Sequence, residues 1–175
     1  MFNPWREKAR SLTRFFLKPF SINVSQQSTL FLNAFRPTCR TLTVGECALA
    51  RSVFGESLDL TTIRLCSSRL ILKNYAMSPN GSVYFHPDDL VDDFSVLSLE
   101  LQSWLIHELT HVWQVQRGMK VVRRALLNRR YRYVLKDGKT FLQYGIEQQA
   151  QMVQDWFLRN ARNEPCADLK ACLPF

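Results

Sequence analysis

The stretch Trp104-Leu-Ile-His-Glu-Leu-Thr-His-Val-Trp-Gln114 limits the folds open to this chain more than any other. It contains no Gly or Pro and its apolar residues recur at helical spacing, so it reads as a helix. At about 100° per residue, His107, Glu108 and His111 fall on one side with Trp104 close by, while Leu101, Leu105, Leu109 and Val112 form a broad adjoining face. A helix that apolar is buried over most of its surface. A buried helix does not tolerate His-Glu-His unless those groups are paired or hold a metal.

The spacing is HExxH, in which two histidines one turn apart bind zinc and the glutamate beside the first acts as general base on a water at the metal. A catalytic zinc site normally takes a third protein ligand and leaves one position open. The acids and the remaining histidine that qualify are Glu147, Asp155, His86 and the Asp88-Asp89 and Asp92-Asp93 pairs. Glu147 is the expected ligand, because it sits near the start of a downstream helix, just off that helix's apolar stripe. Oxyanion stabilisation calls for a phenol or a cation. Tyr144, Tyr133 and Tyr131 are the available phenols, and Tyr144 is carried forward as the catalytic candidate. The competing account is an amphipathic core helix with a buried His-Glu-His cluster and no metal.

Elements around the motif can be placed by local signals. Thr43-Val-Gly-Glu46 is a capping box that opens a helix running to Gly55. Leu60–Leu65, Arg69–Leu72 and Ser82–His86 read as strands, with a turn at Ser78-Pro-Asn-Gly81. The last of these strands is expected beside the site, where it would pair with an extended substrate. Asp93 or Ser95 caps the motif helix. Asp137-Gly138 between alternating apolar and aromatic residues signals a hairpin over 132–141. A final helix runs from Ile146 to about Arg159, with Ile146, Ala150, Val153 and Phe157 as its apolar stripe. The expected fold is α+β, a small mixed sheet packed on the motif helix and one downstream helix. Domain boundaries follow: an N-terminal arm over 1–42 with a short helix around Glu7 to Leu17, a domain over 43–160, and an irregular tail over 161–175.

The net charge of +8 is concentrated. Arg117, Lys120, Arg123, Arg124, Arg129, Arg130, Arg132 and Lys136 follow one another with no acid among them. Such a block suits an anionic surface or is simply a solvated face, and Arg123, Arg124, Arg129 and Arg130 are the candidate contacts. The five cysteines show no CxxC spacing in a chain large enough to fold without staples. Reduced thiols are expected, with Cys166–Cys172 pairing as the alternative in an oxidising compartment. No run approaches the roughly 18 apolar residues of a membrane span. Phe15-Phe16-Leu17 is cut short by Lys18-Pro19, so a secretory signal peptide is not expected.

Four segments together carry a family resemblance. Phe54-Gly55, Thr62-Ile-Arg-Leu65, Asn80-Gly-Ser-Val-Tyr-Phe85 and Leu105-Ile-His-Glu-Leu-Thr-His-Val-Trp-Gln114 resemble the small zincin-like metallopeptidase domains associated with bacterial contractile injection systems and type VI secretion (VgrG/Rhs-linked) effectors. The resemblance spans about Thr43 to Trp156. It implies a zincin-like fold, Zn2+ bound by His107, His111 and Glu147, and peptide-bond hydrolysis with Glu108 as base. Glu147-Gln-Gln-Ala150 is similar to the gluzincin helix that follows the motif but lacks the fuller NExxSD pattern, and Arg117 stands where a metzincin has its third histidine. The resemblance further implies either a delivered toxin or a processing enzyme; the toxin would be made in the bacterial cytoplasm and exported without a signal peptide, with a VgrG/Rhs-like carrier and an immunity protein as partners. Two other functions fit the same residues: a hydrolase of peptidoglycan stem peptides or crosslinks, and a non-catalytic protein that binds an anionic partner.

Overall fold

In the computed structural model, residues 37–121 and 130–175 are described. The expected short helix near the N-terminus, and Arg123, Arg124 and Arg129 of the basic block, lie outside them. Strand β1 (Thr38–Arg40) is followed by helix α1 (Val44–Phe54), and β2 (Leu65–Ser67), β3 (Ala76–Met77) and β4 (Val83–Phe85) complete a sheet of order β1-β2-β4-β3. β1 pairs antiparallel to β2, β2 parallel to β4, and β3 antiparallel to β4. The sheet is therefore small and mixed, as expected. β4 is flanked by β2 and β3, and among the described residues the sheet's edge strands are β1 and β3, so the expected pairing of a substrate with β4 has no edge to use.

Two of the expected strands are mostly turns. The Asp59 carboxylate accepts from the N–H and hydroxyl of Thr61, which bends the chain and leaves Leu60 and Ile63 as single anchors in the core. Ser68 does the same one strand later. Its carbonyl accepts from Ile71 and its hydroxyl from Leu70, and Leu70 and Leu72 are exposed. β1 lies within the segment expected as an arm, and its register sets Cys39 opposite Cys66. These two cysteines are joined as a disulfide across a Cα separation of 4.0 Å, which corrects the expectation of five thiols. Cys166 and Cys172 do not pair.

The capping box of α1 forms as read, with Glu46 N–H donating to Thr43 Oγ1 and Thr43 N–H donating to Glu46 Oε2. Glu46 has a larger role than a cap. Fully buried, it takes both guanidinium nitrogens of Arg40 at 2.7 Å and the N–H of Phe94 at 2.9 Å. One carboxylate thus ties β1, α1 and the turn before the motif helix together. Gly45 permits the close approach, since a Cβ there would lie 2.0 Å from Ser95 Oγ. Glu46→Ala takes the carboxylate from Arg40, which keeps only the Thr41 and Val91 carbonyls, and leaves the Phe94 amide without its acceptor, and the expected loss is about 3 kcal/mol of unfolding free energy by urea titration. A loss below about 1 kcal/mol would mean that water replaces the carboxylate.

Asp93 does cap, but what it caps is a 3-10 turn over Phe94–Val96, and the motif helix α2 (Leu99–Gln116) starts one step later after Ser98. Its apolar face meets the sheet through Phe85, whose ring stands edge-on to Trp104 at 5.1 Å. Helix α3 (Ile146–Ala161) packs along α2 and fills the other side with Ala150, Met152 and Val153. The hairpin over 132–141 does not form. Asp137-Gly138 does turn, with Gly138 at φ +72°, but the far limb closes into a 3-10 turn at Phe141–Gln143 capped by Thr140. The tail is not wholly irregular, since helix α4 (Ala167–Cys172) buries Leu169 and leads Phe175 onto Phe54 and Trp113. Among the described residues, no helix is long and apolar enough to cross a membrane.

Candidate metal centre

The pairing of α2 with α3 is what assembles the site. His107 and His111, one turn apart on α2, project toward the first turn of α3, where Glu147 is held by its place on the helix. Glu147 Oε2 lies 3.6 Å from His107 Nε2 and 3.4 Å from His111 Nε2. All three side chains are buried, and their ligand atoms lie within 4.8 Å of one another. In a tetrahedral zinc site with bonds of about 2.05 Å, ligand atoms sit about 3.3 Å apart, so this spacing is that of a site nearly closed on an ion.

The far side of each imidazole is also arranged. Gln114 donates through Nε2 to the Ile146 carbonyl and to Gln149 Oε1, which leaves its Oε1 facing His111 Nδ1 at 2.9 Å. Gln154 donates to Ser103 Oγ and turns its Oε1 toward His107 Nδ1 at 3.1 Å. An amide oxygen only accepts, so both Nδ1 atoms carry a proton, and the Nε2 atoms that face Glu147 donate to its carboxylate when protonated and offer a lone pair to a metal when not. With the Nε2 protons displaced, two imidazoles and a carboxylate converging in this way are a donor set that fits zinc.

Without an ion the three groups pair electrostatically. Burial lowers the proton affinity of His111, but the adjacent Glu147 carboxylate outweighs it, and with Glu108 and Gln114 pushes its pKa up to about 9. Burial likewise favours neutral Glu147, but the charge of His111 and the hydrogen bonds from both imidazoles hold it well below the usual carboxylate range. Glu108 is buried beside the trio and accepts a hydrogen bond of 2.9 Å from Ser78 Oγ.

The other ligand candidates have different partners. Asp155 accepts from Tyr133 and Gln151. His86 Nδ1 accepts from the Asp88 N–H, Asp88 pairs with Lys73, Asp89 accepts from the Asn74 N–H, and Asp93 is a cap. Among the described residues, His107, His111 and Glu147 are the single group of this kind. Tyr144 is not brought to the trio by any contact. Its hydroxyl donates to the Val134 carbonyl and accepts from the Lys136 N–H, anchoring the segment over 130–136. The same segment carries Tyr131, whose ring stacks on His107 at 6.0 Å between centroids, and Tyr131 is therefore the tyrosine at the site. Sequence reasoning missed Gln114, Gln154 and Ser78. Gln114 had a signal, three residues after His111 on the same helix, whereas Ser78 sits in a turn with none.

No family model matches the chain. In an alignment of 131 positions that covers 68% of its length, the chain is 44% identical to the type VI secretion system spike protein VgrG2b of Pseudomonas aeruginosa, and it spans 13% of that protein. Among solved structures it superposes on the effector domain of P. aeruginosa VgrG2b with a TM-score of 0.66 and 40% identity, covering 75% of this chain and 80% of that one. An identity of that size over most of both chains joins sequence and fold, and the chain belongs to the family of the VgrG2b effector domain.

Proposed function

We propose that this chain is a type VI secretion effector domain that hydrolyses peptide bonds, with Zn2+ held by His107, His111 and Glu147 and with Glu108 as general base. The observation that carries the reading is the buried trio converging from two helices with Glu108 next to it. Effector status rests on membership in the VgrG2b effector-domain family. The partners that follow are a VgrG/Rhs-like carrier, an immunity protein and a protein or peptide substrate.

Zinc at this site supplies a Lewis acid that polarises the scissile carbonyl and makes water acidic enough to lose a proton near neutral pH. The chain supplies the rest. Glu108 takes the proton from water and returns it to the leaving amine, the two transfers that peptide hydrolysis requires. Gln114 and Gln154 keep both histidines in the tautomer that presents Nε2. Tyr131 covers one face of His107 and limits how a substrate approaches from that side.

Purified protein is expected to bind one zinc per chain by metal analysis and to cleave unfolded casein, with a chelator stopping cleavage and zinc restoring it. Failure to take up zinc on reconstitution overturns the site. Zinc uptake without hydrolysis of casein or of sacculi leaves only the metal-binding half of the reading.

A further inference from the structure

Ser78 is buried against the general base and has no part in the reaction as described so far. It follows β3 directly, thirty positions from Glu108, and its hydroxyl donates to Glu108 Oε2 at 2.9 Å. This placement is not that of a loose loop. β3 pairs with β4 in a fixed register, Ala76 opposite Phe85 and Met77 opposite Tyr84. Phe85 packs edge-on against Trp104 of the helix that bears Glu108. Beyond Ser78 the chain turns through Gly81 at φ +87°, with Asn80 bonded to the Tyr84 hydroxyl and to the Ser82 N–H. The serine is therefore mounted on a strand registered against the motif helix itself.

We infer that Ser78 is a positioning residue for Glu108, one that fixes the carboxylate so that Oε1 faces the reacting water; the inference rests on the peptidase reading above. A glutamate has three side-chain torsions, and a base left free among rotamers loses part of its advantage to orientation. A hydroxyl bound to a carboxylate is a charge-assisted hydrogen bond, strong enough to select one rotamer. The same bond serves both proton transfers. When Oε1 takes the proton from water, Oε2 remains an acceptor, so Ser78 keeps its donor role while Glu108 is neutral. When the proton passes to the leaving amine, the carboxylate returns without rearrangement. Nothing in the cycle asks the serine to give up its own proton.

The test compares Ser78→Ala and Ser78→Thr in the zinc-loaded protein, with casein as substrate and acetohydroxamate as a small zinc-binding probe whose proton a neighbouring carboxylate takes up. Ser78→Ala is expected to lower kcat by about ten- to a hundredfold, the loss of one charge-assisted hydrogen bond. KM and zinc affinity should stay within about twofold, while acetohydroxamate binds about tenfold more weakly. Ser78→Thr keeps the hydroxyl and should restore kcat to within a few-fold of the wild type. In a Glu108→Gln background, Ser78→Ala should change neither readout, because the two residues act as one unit. Wild-type kcat and acetohydroxamate affinity in Ser78→Ala overturn the inference. So does a loss that Thr does not rescue and that comes with a fall in Tm and in zinc affinity, since that is a tie between strand and helix and nothing more. If the wild type cleaves neither casein nor sacculi, the peptidase reading fails by itself, and the acetohydroxamate arm still decides the role of Ser78.

Discussion

Glu108→Gln is expected to keep its zinc, keep its fold and lose hydrolysis by roughly 10²- to 10⁴-fold in kcat, the share of catalysis that a positioned general base supplies. The substitution separates base from scaffold because the side chains are the same size. Glu108 is buried, yet its one strong contact survives, since the amide oxygen of glutamine accepts from Ser78 Oγ as the carboxylate does. What disappears is the ability to hold a proton between water and the leaving amine. The metal ligands are untouched, so zinc content should remain at one per chain and Tm should shift by no more than a few degrees. His107→Ala gives the opposite pattern: zinc uptake fails, and hydrolysis goes with it. Kinetics on unfolded casein, metal analysis and thermal unfolding of both variants decide the matter. If Glu108→Gln retains more than about a tenth of wild-type kcat, this glutamate is not the base.

The parts of the molecule that could be read from the sequence are those written in local chemistry. α1 is bounded by its capping box at Thr43 and Glu46 and by Gly55, and the two site helices are legible from apolar periodicity over sixteen or more residues, although the cap signal at Asp93 places the start of α2 too early. Glu147 stood out as an acid at the border of an apolar stripe, a position fixed by helix geometry alone. The sheet was a harder problem, because its strands have two or three residues and alternation needs at least four to show. Leu60–Leu65 looked like a strand, yet Asp59 bends it, and the side chain that does so is outside the apolar pattern. Cys39 and Cys66 meet only through a strand register that no local signal encodes. The same limit applies inside the site. A tyrosine near the motif can serve as donor or anchor, and only the backbone of Val134 and Lys136 shows that Tyr144 anchors. Gln114 and Gln154 look like ordinary helix surface until α2 and α3 are packed, when their amides become the partners of both imidazoles.

Metal-free protein is expected to be most stable in mildly acidic solution, and zinc is expected to bind more tightly as the pH rises. The signs follow from the two coupled groups. His111 moves from an ordinary pKa of 6.5 up to about 9 in the folded protein, so its contribution is fully present below about pH 6.5 and is lost as the pH rises through about 9. Glu147 is depressed from 4.5, so its contribution is present above about pH 4.5 and is lost as the pH falls through its lower folded value. Both contributions are complete only between roughly pH 4.5 and 6.5. Zinc reverses the dependence, because the ion needs the Nε2 lone pair of His111 and must displace its proton. At pH 7, binding should release about one proton from His111, and affinity should rise about tenfold per pH unit between pH 7 and 8. Calorimetry in two buffers of different ionisation enthalpy counts the protons, and thermal unfolding against pH with and without zinc gives the two opposed slopes. Glu147→Gln removes the charge that holds the proton on His111, so the released proton should disappear while zinc affinity also falls through loss of a ligand. If wild-type affinity is flat from pH 7 to 8, His111 is already neutral and the trio does not share a proton in the way its spacing implies.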